Sequence, residues 1–167
     1  MSTRKIARLG LLIAACVIGR ILFQFIPNVQ PMTAIFLFTV YYLGIADGLL
    51  VMSLSVLLSN FYFGMGPWLF GQLISYSLVL ILFSVCSLKL KAGKNQWLMA
   101  GLFFFAGMFY GGFTACYDTV VYQLPHLWVY YLQGVSFDLM HSVGNVAFFI
   151  VFAPVIHRMS KEFSEKV

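Results

Sequence analysis

Charge is what this chain lacks. Of its 167 residues only 9% are Asp, Glu, Lys or Arg, and only five are acidic. A soluble domain carries about 25% charged residues. There is too little polar surface here to cover a globule in water, which excludes an ordinary soluble fold. No GxxxxGK[ST] run occurs, so no phosphate-cradling loop is expected. The three cysteines (Cys16, Cys86, Cys116) are odd in number and form no CxxC pair. That argues against a thiolate metal site or a disulfide frame, and they read as small packing residues. No metal site and no resident cofactor are expected. There is no internal repeat of the kind that builds a whole transporter, and no low-complexity segment. The net charge of +5 comes from short, separated loops. Without a basic stripe or an aromatic RNA-binding motif, it does not point to nucleic acid.

What the chain has in excess is apolar sequence: 62% hydrophobic residues and a mean hydropathy of +0.94. A spanning helix needs about 20 mostly apolar residues, so six would use most of the chain. The expectation is an all-α polytopic membrane protein, a single six-transmembrane-helix domain over residues 1–167. The first apolar run, 6–26, has a basic start but no small-residue cleavage site, and reads as a retained helix. It stops at Pro27-Asn28-Val29-Gln30-Pro31. The stretch 32–63 divides at Gly44-Ile45-Ala46-Asp47-Gly48, with Asp47 as a possible helix N-cap. This predicts two helices of only about 15 residues each, short for a span. Gly64-Met65-Gly66-Pro67 ends the pair. Further runs cover 68–88 and 96–116, and a mixed segment at 117–127 leads into a long last run ending near 157.

Basic residues orient this arrangement. Arg4, Lys5 and Arg8 precede the first helix. Lys89, Lys91 and Lys94 join the fourth and fifth. Arg158, Lys161 and Lys166 follow the sixth. The loops after helices one, three and five contain no Lys or Arg. The positive-inside rule therefore places both termini in the cytoplasm, N-in and C-in.

Polar residues inside the apolar runs are the candidates for function. Arg20 lies about 18 Å along the first helix from Arg8, in its outer half. It must snorkel, pair or face a ligand. Asp138, His141 and Asn145 follow i, i+3, i+7 spacing and share one helix face, which is expected to face the bundle interior. Asp138 is a plausible counter-charge for Arg20. Ser59 with Asn60, and Gln72 with Tyr76, make two smaller polar sets that either bond helices together or orient a ligand. The predicted outer loops are rich in aromatics: Phe61, Tyr62, Phe63 and Trp68 around one turn, and Tyr117, Tyr122, Trp128, Tyr130 and Tyr131 around another that also holds Asp118. They fit an interfacial aromatic belt or the wall of an outward-facing pocket.

Two small-residue patterns stand apart. Ala7, Gly10 and Ala14 form a stripe on the first helix that would let a partner helix approach closely. Gly107 and Gly111 form a GxxxG in the fifth helix, where Gly101 and Gly112 also lie.

Six helices in a chain this short suit a subunit of a larger machine. With its size, orientation and small-residue stripe, the chain resembles the substrate-binding S component of an energy-coupling factor (ECF) vitamin transporter. The family's AxxxA stripe is replaced here by Gly10-Leu11-Leu12-Ile13-Ala14. Two blocks, Gly19-Arg20-Ile21-Leu22-Phe23-Gln24-Phe25-Ile26-Pro27-Asn28-Val29-Gln30-Pro31-Met32-Thr33-Ala34 and Leu57-Leu58-Ser59-Asn60-Phe61-Tyr62-Phe63-Gly64-Met65-Gly66-Pro67-Trp68, resemble the cobalamin-type S components. The resemblance implies a non-enzymatic subunit of the bacterial plasma membrane that captures cobalamin from outside. It also implies docking on the transmembrane coupling subunit EcfT, with two ATPase subunits consuming ATP to topple the S component. On this reading the ligand would meet Arg20, Asn28, Gln30, Asn60, Trp68, Gln72, Tyr76, Tyr117, Asp118, Tyr122, Asp138 and His141. Ala7, Gly10 and Ala14 would meet the coupling subunit. The alternatives are another vitamin such as pantothenate, an intramembrane enzyme using Asp138 and His141, or an assembly protein without a small ligand.

Overall fold

A computed structural model describes the backbone of residues 2–164 and the side chains of residues 2–156. Its described residues form six α-helices: α1 Thr3–Leu22, α2 Met32–Leu43, α3 Ile45–Phe63, α4 Trp68–Lys89, α5 Gln96–Val121 and α6 Leu127–Ser164. A 3-10 turn, Ala92–Lys94, joins α4 to α5.

Local chemistry sets the boundaries. Ser2 caps α1, its hydroxyl accepting from the Lys5 N–H at 3.3 Å. Asn95 caps α5 by accepting from the Trp97 and Leu98 N–H groups at 3.0 and 3.3 Å. Such caps satisfy helix donors that have no partner within the helix. Between α2 and α3 the chain turns on Gly44, whose φ of 94° suits glycine. Gly44, rather than Asp47, is therefore the N-cap of α3. Asp47 lies one turn further in and pairs with Lys5 of α1 at 2.7 Å.

Four helical segments are long and apolar enough to cross a membrane: Ile45–Phe63, Trp68–Lys89, Gln96–Val121 and Leu127–Ile156. Helix α1 has 20 residues but includes Arg4, Lys5, Arg8 and Arg20. The expected near-equal halves of 32–63 are in fact unequal, with 12 residues in α2 and 19 in α3. At 1.5 Å per residue α2 is about 18 Å long, well short of a hydrocarbon core of about 30 Å. Arg158 and Lys161 lie on the last turns of α6, where side chains are outside the described region, and Lys166 lies outside the described residues.

Burial explains how so short a helix is accommodated. Every residue from Met32 to Val40 is buried. A helix that is apolar all round belongs in a core, and α2 packs against each of the other five helices. Those five form an open ring around it, in the order α1, α3, α4, α5, α6. Between α1 and α6 the seam is closed by side chains and by loop 23–31. Phe23 meets Phe148 edge-to-face at 5.2 Å, Asn28 donates to the Phe137 carbonyl at 3.0 Å, and Val29 packs on Gly144.

The two GxxxG-type features differ in use. A Cβ on Gly107 would stand 2.7 Å from the Ser142 backbone nitrogen, and one on Gly111 would collide with the Asp138 carboxyl. This glycine pair therefore serves the α5–α6 contact. Gly10 has nothing within 4 Å of an added Cβ. Accordingly, Gly107→Val is expected to lower stability by about 1–3 kcal/mol through overpacking. Gly10→Ala should leave the melting temperature unchanged or slightly higher, since alanine is the better helix former. Thermal unfolding in detergent distinguishes the two.

Candidate ligand-binding site

One end of the bundle is hollow. Helices α1 and α5 end there and α2, α4 and α6 begin there. The ring helices continue past the first turn of α2, and the space above it is a cavity of about 570 Å³. Its wall contains Arg20, Asn28, Gln30, Met32, Gln72, Tyr76, Tyr110, Gly111, Thr114, Ala115, Asp118, Tyr130, Tyr131, Gln133, Gly134, Phe137 and Asp138.

Each charged group is held by a different element. Arg20, in the last turn of α1, donates from Nη1 to Ser59 Oγ of α3 at 2.6 Å. Its guanidinium lies 4.8 Å from the Phe63 ring centroid. Asp118, near the end of α5, accepts from the Tyr130 hydroxyl of α6 at 2.9 Å. Asp138 is only 7% exposed and sits against Gly111. Its carboxylate takes no hydrogen bond or ion pair from any described residue. The sequence left open whether Arg20 pairs with Asp138, and the two do not pair: both line the same cavity, but Arg20 is drawn toward α3 by Ser59 and Phe63.

Amides and hydroxyls complete the wall. Asn60 Nδ2 donates to Gln72 Oε1 at 2.8 Å and to the Val56 carbonyl at 2.7 Å. The two polar sets seen in the sequence are thus one. With Oε1 engaged, Gln72 has its amide N–H groups left to offer a ligand. Thr114 bonds Ser75 at 3.1 Å and ties α5 to α4.

Beneath the cavity lies a buried polar floor. Thr33 of α2 donates to the Tyr76 hydroxyl at 3.3 Å and meets His141 Nε2 at 2.8 Å. A hydroxyl has one proton. With that proton on the Tyr76 bond, the imidazole is the donor to Thr33, and Nδ1 is the bare nitrogen. The Tyr110 ring packs on Tyr76 at 4.2 Å and against the His141 ring at 5.2 Å. One turn deeper, Asn145 donates to the Phe103 carbonyl at 3.4 Å.

Seven of the twelve residues named as ligand contacts line the cavity: Arg20, Asn28, Gln30, Gln72, Tyr76, Asp118 and Asp138. Five do not. Asn60 is buried behind Gln72 and positions it. His141 is in the floor. Tyr117 spans from α5 to the Pro67 carbonyl at 2.8 Å. Trp68 covers Gly66, and Tyr122 caps α5 on the surface. The sequence reading missed Tyr110, Thr114, Gln133 and Phe137 as wall residues. Tyr110, Thr114 and Asp118 recur every fourth residue, a helical stripe that marks one face. Ala7, Gly10 and Ala14 all lie exposed on the outer face of α1. Among the described residues no group of three or more His, Cys, Asp or Glu side chains could hold a metal ion.

No protein-family model, curated protein or solved structure matches this chain. The fold and the four long apolar helices define the class: an all-helical multi-pass membrane protein with a polar, aromatic cavity at one end.

The floor makes a specific demand on Thr33. Thr33→Val keeps the shape but strands Tyr76 and His141, and should cost about 1–3 kcal/mol. Thr33→Ser keeps the hydroxyl and should cost less. The difference in melting temperature between the two variants measures the polar contribution.

Proposed function

We propose that this chain is the substrate-binding S component of an energy-coupled vitamin importer in a bacterial plasma membrane. The observation that carries this reading is the cavity, which opens at the end of the bundle away from the basic loops. Lys5 and the 3-10 turn with Lys94 lie at the opposite end, where Gly93 packs on Tyr41 near the end of α2. With basic residues in the cytoplasm, both termini are inside, the chain crosses six times and the cavity faces outward. Helix α2 makes its crossing inside the ring, and loop 23–31 completes it. Non-helical backbone is tolerated at membrane depth where protein surrounds it.

Capture is favoured over catalysis because His141, the candidate acid–base group, is sealed below the cavity floor. Docking on EcfT is supported by the outer face of α1, where Ala7, Gly10 and Ala14 leave room for a second helix. Two ATPase subunits on that module would supply the driving force, since this chain has no phosphate loop. Nucleic acid has no place in this mechanism.

Cobalamin is the cargo implied by the resemblance. A second reading, a vitamin smaller than cobalamin, is favoured by size. A cavity of about 570 Å³ lies in the range of roughly 300–1,000 Å³ that takes drug-sized molecules. A corrin ring with its nucleotide arm is bulkier and would extend beyond the cavity mouth.

Two experiments test the proposal. Purified chain alone should bind one vitamin saturably, with a rise in melting temperature. Cobalamin binding would establish the first cargo, and binding of a small vitamin without cobalamin would establish the second. Ala14→Trp should abolish co-purification with EcfT and the ATPases while leaving vitamin affinity within about two-fold, because Ala14 is remote from the cavity. Absence of any vitamin binding would overturn the capture function.

A further inference from the structure

The charge balance of the cavity narrows its ligand, given the capture reading above. One guanidinium, Arg20, stands against two carboxylates, Asp118 and Asp138. Arg20 already has a hydroxyl and an aromatic face as neighbours. Asp118 already has the Tyr130 hydroxyl. Asp138 has nothing from the described residues, although it is more than nine-tenths buried. The fold makes room for this carboxylate, because any side chain at Gly111 would occupy its position. An ionised carboxylate in a low-dielectric site is costly unless it is paired. Ionisable groups at membrane depth mark functional sites for that reason.

We propose that the ligand of this cavity carries a positively charged nitrogen that pairs with Asp138, on an aromatic or similarly flat body. The tyrosine wall supports the same chemistry. Tyr76, Tyr110, Tyr130, Tyr131 and Phe137 all line the cavity, and aromatic rings attract cations. A negatively charged solute would meet Asp138 as a like charge, an arrangement that selects against it. Arg20 and the Gln72 amide N–H groups then serve the ligand's carbonyl, hydroxyl or anionic end.

The test is a thermal-shift and equilibrium-binding panel on the full chain in detergent at neutral pH. Thiamine and pyridoxamine serve as cationic probes, pantothenate and nicotinate as anionic ones, and cobalamin as the bulky one. A cationic probe is expected to bind saturably and the anionic probes are not. Asp138→Asn should weaken the cationic probe at least ten-fold. It should also raise the ligand-free melting temperature by about 2–4 °C, because an unpaired charge is removed. A merely structural Asp138 would instead lower it. Binding of pantothenate, nicotinate or cobalamin that Asp138→Asn leaves intact overturns the charge assignment and leaves vitamin capture standing. No binding by any probe overturns both. Should Asp138→Asn fail to fold, the charge selectivity of the unaltered chain decides.

Discussion

The structure depends on one buried short helix. Helix α2 is surrounded by all five others and is apolar on every side. In a bilayer there is no hydrophobic drive between helices, so packing and internal hydrogen bonds hold them together. A central helix can be much shorter than its neighbours because protein, rather than lipid, lies beyond its end. The shortfall is about 12 Å against a 30 Å hydrocarbon core. Its C-terminal end is closed off by Tyr41 against Gly93 and by the turn at Gly44. The missing length therefore falls at the N-terminal end, directly above Met32, where the cavity is.

That geometry also explains the polar floor. Met32, the first residue of α2, lines the cavity, and Thr33 beside it bridges neighbouring helices. It gathers Tyr76 of α4 and His141 of α6 onto α2. Such bonds are worth about a kilocalorie each, but they fix the relative height of three helices. A shift of α6 along its axis would break the Thr33 bond and strand an imidazole in an apolar core. The floor thus holds Asp138, one turn above His141, at a defined depth in the wall.

Much of this was legible in the sequence, for identifiable reasons. Helix number and most boundaries followed from apolar runs broken by Pro and Gly, because lipid enforces length and composition. The shared face of Asp138, His141 and Asn145 followed from helical spacing. The division at Gly44 was legible, but the lengths on either side were not, since no local signal says that a helix will be buried on all sides. Whether Arg20 pairs with Asp138 was not legible, because opposite charges at similar depth say nothing about azimuth. Arg20 faces α3, where Ser59 and Phe63 compete for it. Asn60 was read as a ligand group, yet its amide is committed to Gln72. Which of two bonded amides faces the cavity is a tertiary fact.

The α1–α6 seam follows from the same packing. A ring of five around a single helix closes only if the first and last members meet, and among the described residues their backbones do not. Closure is left to Phe23 on Phe148, to Asn28 on the Phe137 carbonyl and to Val29 on Gly144. These are few contacts, and two of them belong to the loop that also lines the cavity. Among the described residues helix α1 packs on α2 and α3, and its outer face carries the small-residue stripe. The helix that holds Arg20 in the cavity wall buries only Leu9, Cys16 and Gly19. Arg20 in the cavity wall and the exposed small-residue stripe are therefore carried by one helix.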